Sequence, residues 1–209
     1  MERKGKLLGY YNYTVILTYV GLLAGFSGIL AALEGGYRSA MLCLMTAGFC
    51  DMFDGAIAST RKRTEQEKCF GIQIDSLCDL VCFGVLPAVL VYCMGQRTLG
   101  ARCVAAFYVL CALIRLAFFN VDEQERQKRT CARRESYLGL PVTLSAIFVP
   151  GLYGAGNYFS WQKNPALPSA LAVMGVMFLL PVPLKKPGRP GKLLLLCCGV
   201  LVFCLAAFA

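Results

Sequence analysis

Apolar residues run through this chain in long blocks separated by short polar segments. The blocks are about 18–22 residues long, the length at which a helix crosses the hydrocarbon core of a bilayer. Backbone polar groups in lipid must be satisfied within the segment, so such blocks predict helices rather than open strands. The pattern predicts about seven spans with soft boundaries, at 13–34, 37–59, 71–94, 99–120, 138–158, 166–184 and 192–209. The last block lacks a polar tail and could instead lie across an interface.

Composition agrees with a membrane protein. Apolar residues make up 57% of the chain and charged residues only 16%, whereas soluble domains carry about 25% charged residues. We therefore expect a single all-α transmembrane domain over residues 1–209, a polytopic helical bundle with no separate soluble domain.

The basic residues predict the orientation of the spans. They cluster before the first block and after the second, fourth and sixth, whereas the opposite loops hold only Arg38, Arg97, Arg102 and Lys163. Basic loops favour the cytoplasmic side, so the N-terminus is predicted to be cytoplasmic. The net charge of +9 is thereby explained. Because this charge is spread over several short loops, we expect no nucleic-acid partner.

Histidine is absent, and the twelve cysteines include no CxxC pair. The absence of histidine excludes Ser-His and Cys-His nucleophilic schemes and histidine-based metal sites. Most of the cysteines lie inside the apolar blocks, where they behave as small hydrophobes. We expect neither a disulfide framework nor a zinc site.

Four aspartates flank the loop between the second and third blocks. Asp51 and Asp54 are three residues apart and Asp75 and Asp79 are four apart, so each pair shares one helix face. Two antiparallel helices joined by a short loop would bring these faces together just inside the membrane. Ionisable residues inside a span are costly and usually mark function.

Such a carboxylate cluster predicts a metal site. Unneutralised, the four groups would repel each other, so they either take up protons or bind cations. Oxygen ligands without His or Cys favour Mg²⁺, Mn²⁺ or Ca²⁺, and four acids can hold two ions. Gly55, Ala58 and Gly71 lie on the same faces and would let a bulky headgroup approach. Taken separately, small residues beside polar ones also occur at helix packing interfaces, and Asp75 with Asp79 alone could form a proton relay.

This stretch resembles the signature of the CDP-alcohol phosphotransferase family, D-x2-D-G-x2-A-R-x8-G-x3-D-x3-D. The matching residues are Asp51, Asp54, Gly55, Ala58, Gly71, Asp75 and Asp79. Two features depart from it: Ser59 replaces the arginine, and the spacer before Gly71 has eleven residues. We expect Lys62 or Arg63 to supply the missing cation.

Within this family the chain is most similar to the membrane-embedded bacterial phosphatidylserine synthases. The similarity rests on F83-G-V-L-P-A, on R115-L-A-F-F-N120, where the subfamily usually reads RLARFN, and on G139-L-P141. Individually these segments have simpler explanations. Pro87 and Pro141 could mark a helix kink or a helix start, and Arg115 could be a side chain that reaches the interface.

The resemblance implies transfer of a phosphatidyl group from CDP-diacylglycerol to L-serine, which gives phosphatidylserine and CMP. It implies that two divalent cations, Mg²⁺ or Mn²⁺, are bound by Asp51, Asp54, Asp75 and Asp79, with Asp79 also the general base. The nucleotide lipid would be bound around Gly55, Ala58, Ser59, Lys62, Arg63 and Gly71. Arg115 and Asn120 are expected to bind serine or a phosphate. A homodimer in a bacterial plasma membrane, with a cytoplasmic active site, is also implied.

Two alternatives remain open at this point. The same chemistry could serve glycerol 3-phosphate or an inositol, because the aspartate signature does not distinguish alcohols. An ion-coupled transporter could also use intramembrane aspartates, although such proteins usually contain inverted repeats and this chain has no second copy of the aspartate pattern.

Overall fold

The chain folds into a bundle of apolar helices. The computed structural model describes residues 9–61, 63–95, 97–129, 136–158, 166–185, 191, 199–200 and 202–203. Its helices are α1 (Tyr13–Leu33), α2 (Tyr37–Ala58), α3 (Glu65–Asp79), a π-helical segment (Leu80–Val85), α4 (Leu86–Met94), α5 (Leu99–Arg129), a 3-10 turn (Val142–Leu144), α6 (Ser145–Tyr158) and α7 (Ala166–Leu179). Two short strands, β1 (Ser136–Leu138) and β2 (Pro183–Lys185), pair antiparallel.

Four helical stretches are long and apolar enough to cross a membrane: Tyr13–Leu33, Tyr37–Ala58, Glu65–Met94 and Leu99–Arg126. They correspond to the first four predicted spans, so the prediction of an integral membrane protein is confirmed for this part of the chain. Two further apolar helices, Val142–Ala155 and Leu167–Leu179, are shorter than the fifth and sixth spans that the sequence predicts. The predicted seventh span, 192–209, falls mostly outside the described residues.

The all-α class predicted from the sequence needs one amendment, which is the pair of strands β1 and β2. These strands include the first residue of the predicted fifth span and the last residues of the predicted sixth span. Gly139 follows β1 with a φ of +72°. Its N–H donates to the Val182 carbonyl at 2.8 Å, and the Leu140 N–H donates to the Met177 carbonyl at 3.2 Å. A Cβ on Gly139 would lie 2.9 Å from the carbonyl oxygen of Phe178. The chain therefore closes over the end of α7 here, and only glycine fits.

Local capping explains the hairpin that joins α2 to α3. Ser59 ends α2, and its hydroxyl donates back to the Ala56 carbonyl at 2.7 Å. Thr64 and Glu67 then form a capping box at the start of α3. The Glu67 N–H donates to Thr64 Oγ1 at 3.2 Å, and the Thr64 N–H donates to Glu67 Oε2 at 2.9 Å. The box satisfies two backbone donors that a helix start would otherwise leave without partners.

Helix α1 approaches α2 and the π segment closely because it presents glycines to them. A Cβ on Gly25 would overlap Cys82 Sγ, and one on Gly28 would lie 2.8 Å from Cys43 Cβ. Small residues at such spacing let membrane helices pack backbone to backbone. This contact holds α1 against the two helices that carry the aspartates.

Candidate active site

The structure brings three of the four aspartates together. Each of Asp51, Asp54 and Asp75 offers a carboxylate oxygen, and these oxygens lie within 4.8 Å of one another. Asp51 and Asp54 project from the last two turns of α2, and Asp75 lies about 15 Å along α3 from its first residue. The hairpin between α2 and α3 thus places Asp75 at the level of Asp51 and Asp54.

Asp79 lies one turn beyond Asp75 and is the last residue of α3. It is outside the group of three, although it remains within electrostatic reach of Asp51 and Asp75. The π segment begins immediately after it. Asp79 is therefore beside the cluster rather than in it, which differs from the four-ligand set that the resemblance implies.

Helix α1 also contributes to the cluster. The hydroxyl of Thr18, which is buried, donates to Asp54 Oδ2 at 3.4 Å. At this distance the bond is weak, and its main effect is to orient the Asp54 carboxyl. The Asp54 carboxyl in turn contacts that of Asp75.

The donor set fits a hard divalent cation. Among the described residues, no ion pair joins a basic side chain to Asp51, Asp54 or Asp75, and Arg61, Lys68 and Arg126 pair with glutamates instead. Close carboxylates without a basic partner call for a cation or for protons. Oxygen-only ligands are typical of Mg²⁺, Mn²⁺ and Ca²⁺ sites.

The surroundings of the cluster leave room for a substrate on one side. Gly55 is exposed, and a Cβ placed there would meet no atom within 4 Å. Gly71 differs, because Arg63 Nη1 would lie 3.1 Å from a Cβ at that position. The missing side chain of Gly71 thus lets the Arg63 guanidinium lie against α3, one turn before Asp75. Lys62, the other predicted cation, lies outside the described residues.

Arg115 and Asn120 occupy the same helix, α5. Arg115 is 7% exposed and its guanidinium carbon stands 4.4 Å from the centre of the Phe119 ring. Asn120 Oδ1 accepts a bond of 2.7 Å from the hydroxyl of Ser76, the residue after Asp75. Asn120 is therefore connected directly to the helix that carries the third aspartate of the cluster.

The sequence profile of CDP-alcohol phosphatidyltransferases matches residues 11–203 of this chain. The chain belongs to the CDP-alcohol phosphatidyltransferase family. The resemblance inferred from the aspartate signature is thereby confirmed, and the three clustered aspartates are members of that signature.

Three relatives illustrate the range of similar proteins. A Bacillus subtilis protein named CDP-diacylglycerol–serine O-phosphatidyltransferase is 28% identical over 180 residues, which cover 84% of this chain and 90% of the relative. A Saccharomyces cerevisiae protein of the same name is 32% identical over 145 residues, 64% of this chain and 51% of the relative. An archaetidylserine synthase from Methanothermobacter thermautotrophicus is 28% identical over 160 residues, 76% of this chain and 64% of the relative. The chain therefore spans about half the length of the yeast relative but most of the Bacillus one.

Two segments used to place the chain within the family also have structural roles. Gly139 and Leu140 cap the end of α7, and Pro141 precedes the 3-10 turn. Pro87 opens α4 directly after the π segment. Their presence is explained by local backbone geometry whichever alcohol the protein uses.

Sequence reasoning missed three contacts of the site. Thr18 bonds to Asp54, Ser76 bonds to Asn120, and Asn12 Nδ2 donates to Glu67 Oε1 at 3.3 Å. A polar residue in an apolar block was an available signal for Thr18. Asn12 likewise stands out as a polar residue at the start of the first apolar block, but its partner, 55 residues away, was not predictable, and for Ser76, whose partner lies 44 residues away, no sequence signal existed.

Proposed function

We propose that this chain is an enzyme that transfers the phosphatidyl group of CDP-diacylglycerol to L-serine, with phosphatidylserine and CMP as products. The observation that carries the proposal is the cluster of Asp51, Asp54 and Asp75 in a chain of this family. The choice of serine is supported by the names of relatives, from bacteria, yeast and an archaeon, that are called serine phosphatidyltransferases or archaetidylserine synthase.

Asp51, Asp54 and Asp75 would be the principal ligands of two divalent cations, Mg²⁺ or Mn²⁺, with Asp79 completing the set. Bound cations would offset the negative charge of the pyrophosphate and of the leaving CMP. The chain's own contribution is to hold these carboxylates close together. Thr18 supports that arrangement by orienting Asp54 from α1.

Asp79 would be the general base. A new bond forms between the serine hydroxyl oxygen and the phosphorus that carries diacylglycerol, while the bond from that phosphorus to the CMP oxygen breaks. The hydroxyl proton must go to a nearby acceptor, and a carboxylate one turn beyond the cluster is suitably placed. A single direct displacement needs no covalent enzyme intermediate, so we expect sequential rather than ping-pong kinetics.

The nucleotide lipid would lie over the glycines of the signature. Gly55 leaves open space on α2, Ala58 and Ser59 follow at the end of that helix, and Gly71 lies on the facing helix α3. Arg63, whose guanidinium lies against Gly71, is well placed to bind the pyrophosphate in place of the arginine that Ser59 replaces. Lys62 would assist it. Guanidinium groups suit phosphate oxygens because they donate two parallel hydrogen bonds.

Arg115 and Asn120 would receive the serine. Because Ser76 already donates to Asn120 Oδ1, the amide N–H groups of Asn120 remain to donate to a carboxylate. The Arg115 guanidinium would pair with the serine carboxylate or with a phosphate. Both residues lie on α5, and Asn120 is hydrogen-bonded to Ser76, the residue after Asp75.

We propose the following setting for this reaction. The chain is a single catalytic domain with seven spans and a cytoplasmic N-terminus, in a bacterial plasma membrane. The active site faces the cytoplasm, where serine and CMP are soluble and where the basic loops lie. Two chains would form a homodimer, as the family resemblance implies.

The proposal is tested by following CMP release from CDP-diacylglycerol by the purified protein in detergent with Mg²⁺ or Mn²⁺. Parallel reactions contain L-serine, glycerol 3-phosphate, inositol or no alcohol, and Asp79→Asn and Glu34→Gln serve as the inactive variant and its matched control. Release that requires serine and metal, and that only Asp79→Asn abolishes, is the expected result. Release with another alcohol alone would overturn the serine assignment. No release from a folded, metal-binding sample would overturn the enzymatic proposal and favour ion transport.

A further inference from the structure

The helix that carries Asp75 and Asp79 changes its geometry immediately after Asp79. Residues Leu80–Val85 form a π-helical segment, in which the Leu86 N–H donates to the Val81 carbonyl five residues back. A π segment accommodates an additional residue in a turn. Because an α-helix turns about 100° per residue, the segment sets the rotation of the carboxylates relative to α4. Leu86 and Leu90 anchor α4 in the core at 0% exposure.

Pro87 removes the donor that an α-helix would supply to one carbonyl of this segment. Proline has no N–H, so it cannot donate to the carbonyl of the residue four positions earlier, and its ring crowds that group. The residue in question is Phe83, one turn after Asp79, and it is only 1% exposed. A buried carbonyl requires a donor from elsewhere in the protein.

Two hydroxyls from other helices supply those donors. Tyr108 Oη on α5 donates to the Phe83 carbonyl at 2.8 Å, and Ser145 Oγ, the first residue of α6, donates to it at 3.3 Å. Both residues are 0% exposed. The Tyr108 ring also packs against Phe178 of α7, with ring centres 5.3 Å apart. Residues of three helices, α5, α6 and α7, therefore hold the two donor hydroxyls in place.

We propose that Tyr108, assisted by Ser145, is a positioning residue for the carboxylates of Asp75 and Asp79. Through the Phe83 carbonyl, the two hydroxyls hold the π segment in its wide form. Without them, the carbonyl would turn to a neighbouring N–H, and the segment would tighten or bend. The carboxylates of α3 would then rotate away from Asp51 and Asp54. This inference rests on the proposed function only insofar as the aspartate cluster binds a divalent cation.

The test measures Mn²⁺ binding to the purified protein by electron paramagnetic resonance, in detergent and without substrate. In Tyr108→Phe we expect the Kd for Mn²⁺ to rise about tenfold, the effect of losing one buried hydrogen bond. The matched control is Tyr37→Phe, since the Tyr37 hydroxyl donates to the Cys93 carbonyl at the far end of α4, also at 2.8 Å. Both variants should lose similar thermal stability, but only Tyr108→Phe should weaken Mn²⁺ binding.

A second substitution tests whether Tyr108 acts on the carboxylates through the Phe83 carbonyl. Pro87→Ala supplies an N–H that can draw the Phe83 carbonyl into α-helical geometry, so Pro87→Ala alone should also weaken Mn²⁺ binding, and Tyr108→Phe/Pro87→Ala should bind Mn²⁺ no better than Tyr108→Phe. If Tyr108→Phe binds Mn²⁺ like the wild type, or if the double variant does, the inference is wrong. Should Tyr108→Phe fail to fold, Ser145→Ala takes its place with the same expected direction and the same refuting result. A wild type that binds Mn²⁺ but releases no CMP would refute the proposed function alone.

Discussion

Replacing Asp51 by Asn is expected to stabilise the metal-free protein and to remove most of the stabilisation that a divalent cation provides. The substitution keeps the size of the side chain and removes one negative charge. It therefore separates two interpretations of the aspartate cluster. An empty metal site destabilises the folded protein because its carboxylates repel each other. A structural hydrogen-bond network stabilises the folded protein.

The magnitude follows from the geometry of the cluster. At 4.8 Å, the largest separation within the cluster, and an effective dielectric constant of about 20, two charged carboxylates repel each other by about 3.5 kcal/mol. Asp51 takes part in two of the three pairs, so with all three groups charged its repulsion amounts to about 7 kcal/mol at that separation. Proton uptake relieves much of this repulsion. We expect a net gain of at least about 1 kcal/mol, or about 2–4 °C in Tm.

Metal should reverse the order of stability. At a Mn²⁺ concentration of about 100 times Kd, binding stabilises the wild type by about 2.7 kcal/mol, and Asp51→Asn should gain little. Thermal unfolding can be followed with a thiol-reactive dye, because Cys50, Cys78 and Cys82 are buried in the folded protein. Glu34→Gln, an exposed acid at the other end of α1, should behave as the wild type in both conditions. If Asp51→Asn melts below the wild type by the same amount with EDTA and with Mn²⁺, the cluster is structural and this reasoning fails.

Three further substitutions have expected outcomes. Arg63→Ala should raise the KM for CDP-diacylglycerol about tenfold with a smaller change in kcat, because a charge-assisted bond to the pyrophosphate contributes about 1.5–3 kcal/mol. Asp79→Asn should weaken Mn²⁺ binding only in part, because Asp51, Asp54 and Asp75 remain, while kcat at saturating Mn²⁺ falls about 10²–10⁴-fold, the usual contribution of a general base. Gly25→Ala should destabilise the protein by about 1–3 kcal/mol, because its Cβ would overlap Cys82 Sγ, and Cys82→Ala should recover part of that loss.

Two of these substitutions have a matched control variant, and the third has a contradicting outcome. Arg61→Ala removes a neighbouring guanidinium that contacts Glu67 instead, and an equal rise in KM would argue against a specific role for Arg63. For Asp79, a kcat that saturating Mn²⁺ restores in the Asn variant would make the residue a ligand alone and not the base. Gly21→Ala places a Cβ 3.4 Å from Cys50 Cβ, an ordinary contact, so it should be tolerated; equal destabilisation would argue against the packing explanation.

The aspartate cluster could be predicted from the sequence because it depends only on helix periodicity and on one short connection. Spacings of three and four residues place side chains on one face, and a short hairpin brings the two faces together. The order of the first four spans was predictable for the same reason, since block length and polarity decide them. The position of Asp79 beside the cluster was not predictable, because it depends on where the α-helix gives way to the π segment.

Features that depend on distant contacts escaped sequence analysis. The β1–β2 pair joins residues 136–138 to residues 183–185, and neither segment shows an alternating pattern of its own. The approach of Arg63 to Gly71 needed the hairpin geometry. Pro87 suggested a kink, but nothing in the sequence showed that hydroxyls from α5 and α6 would satisfy the Phe83 carbonyl.

The central claim is that the aspartate cluster supports phosphatidyl transfer to serine, and one measurement tests it most directly. Purified protein is incubated with CDP-diacylglycerol, Mn²⁺ and isotopically labelled L-serine, and the label in the lipid fraction is identified by mass spectrometry. We predict labelled phosphatidylserine that is absent with EDTA and in Asp75→Asn, while Glu34→Gln gives the wild-type yield. If the folded wild-type protein produces no labelled phosphatidylserine, or if Asp75→Asn produces as much as the wild type, the account is contradicted.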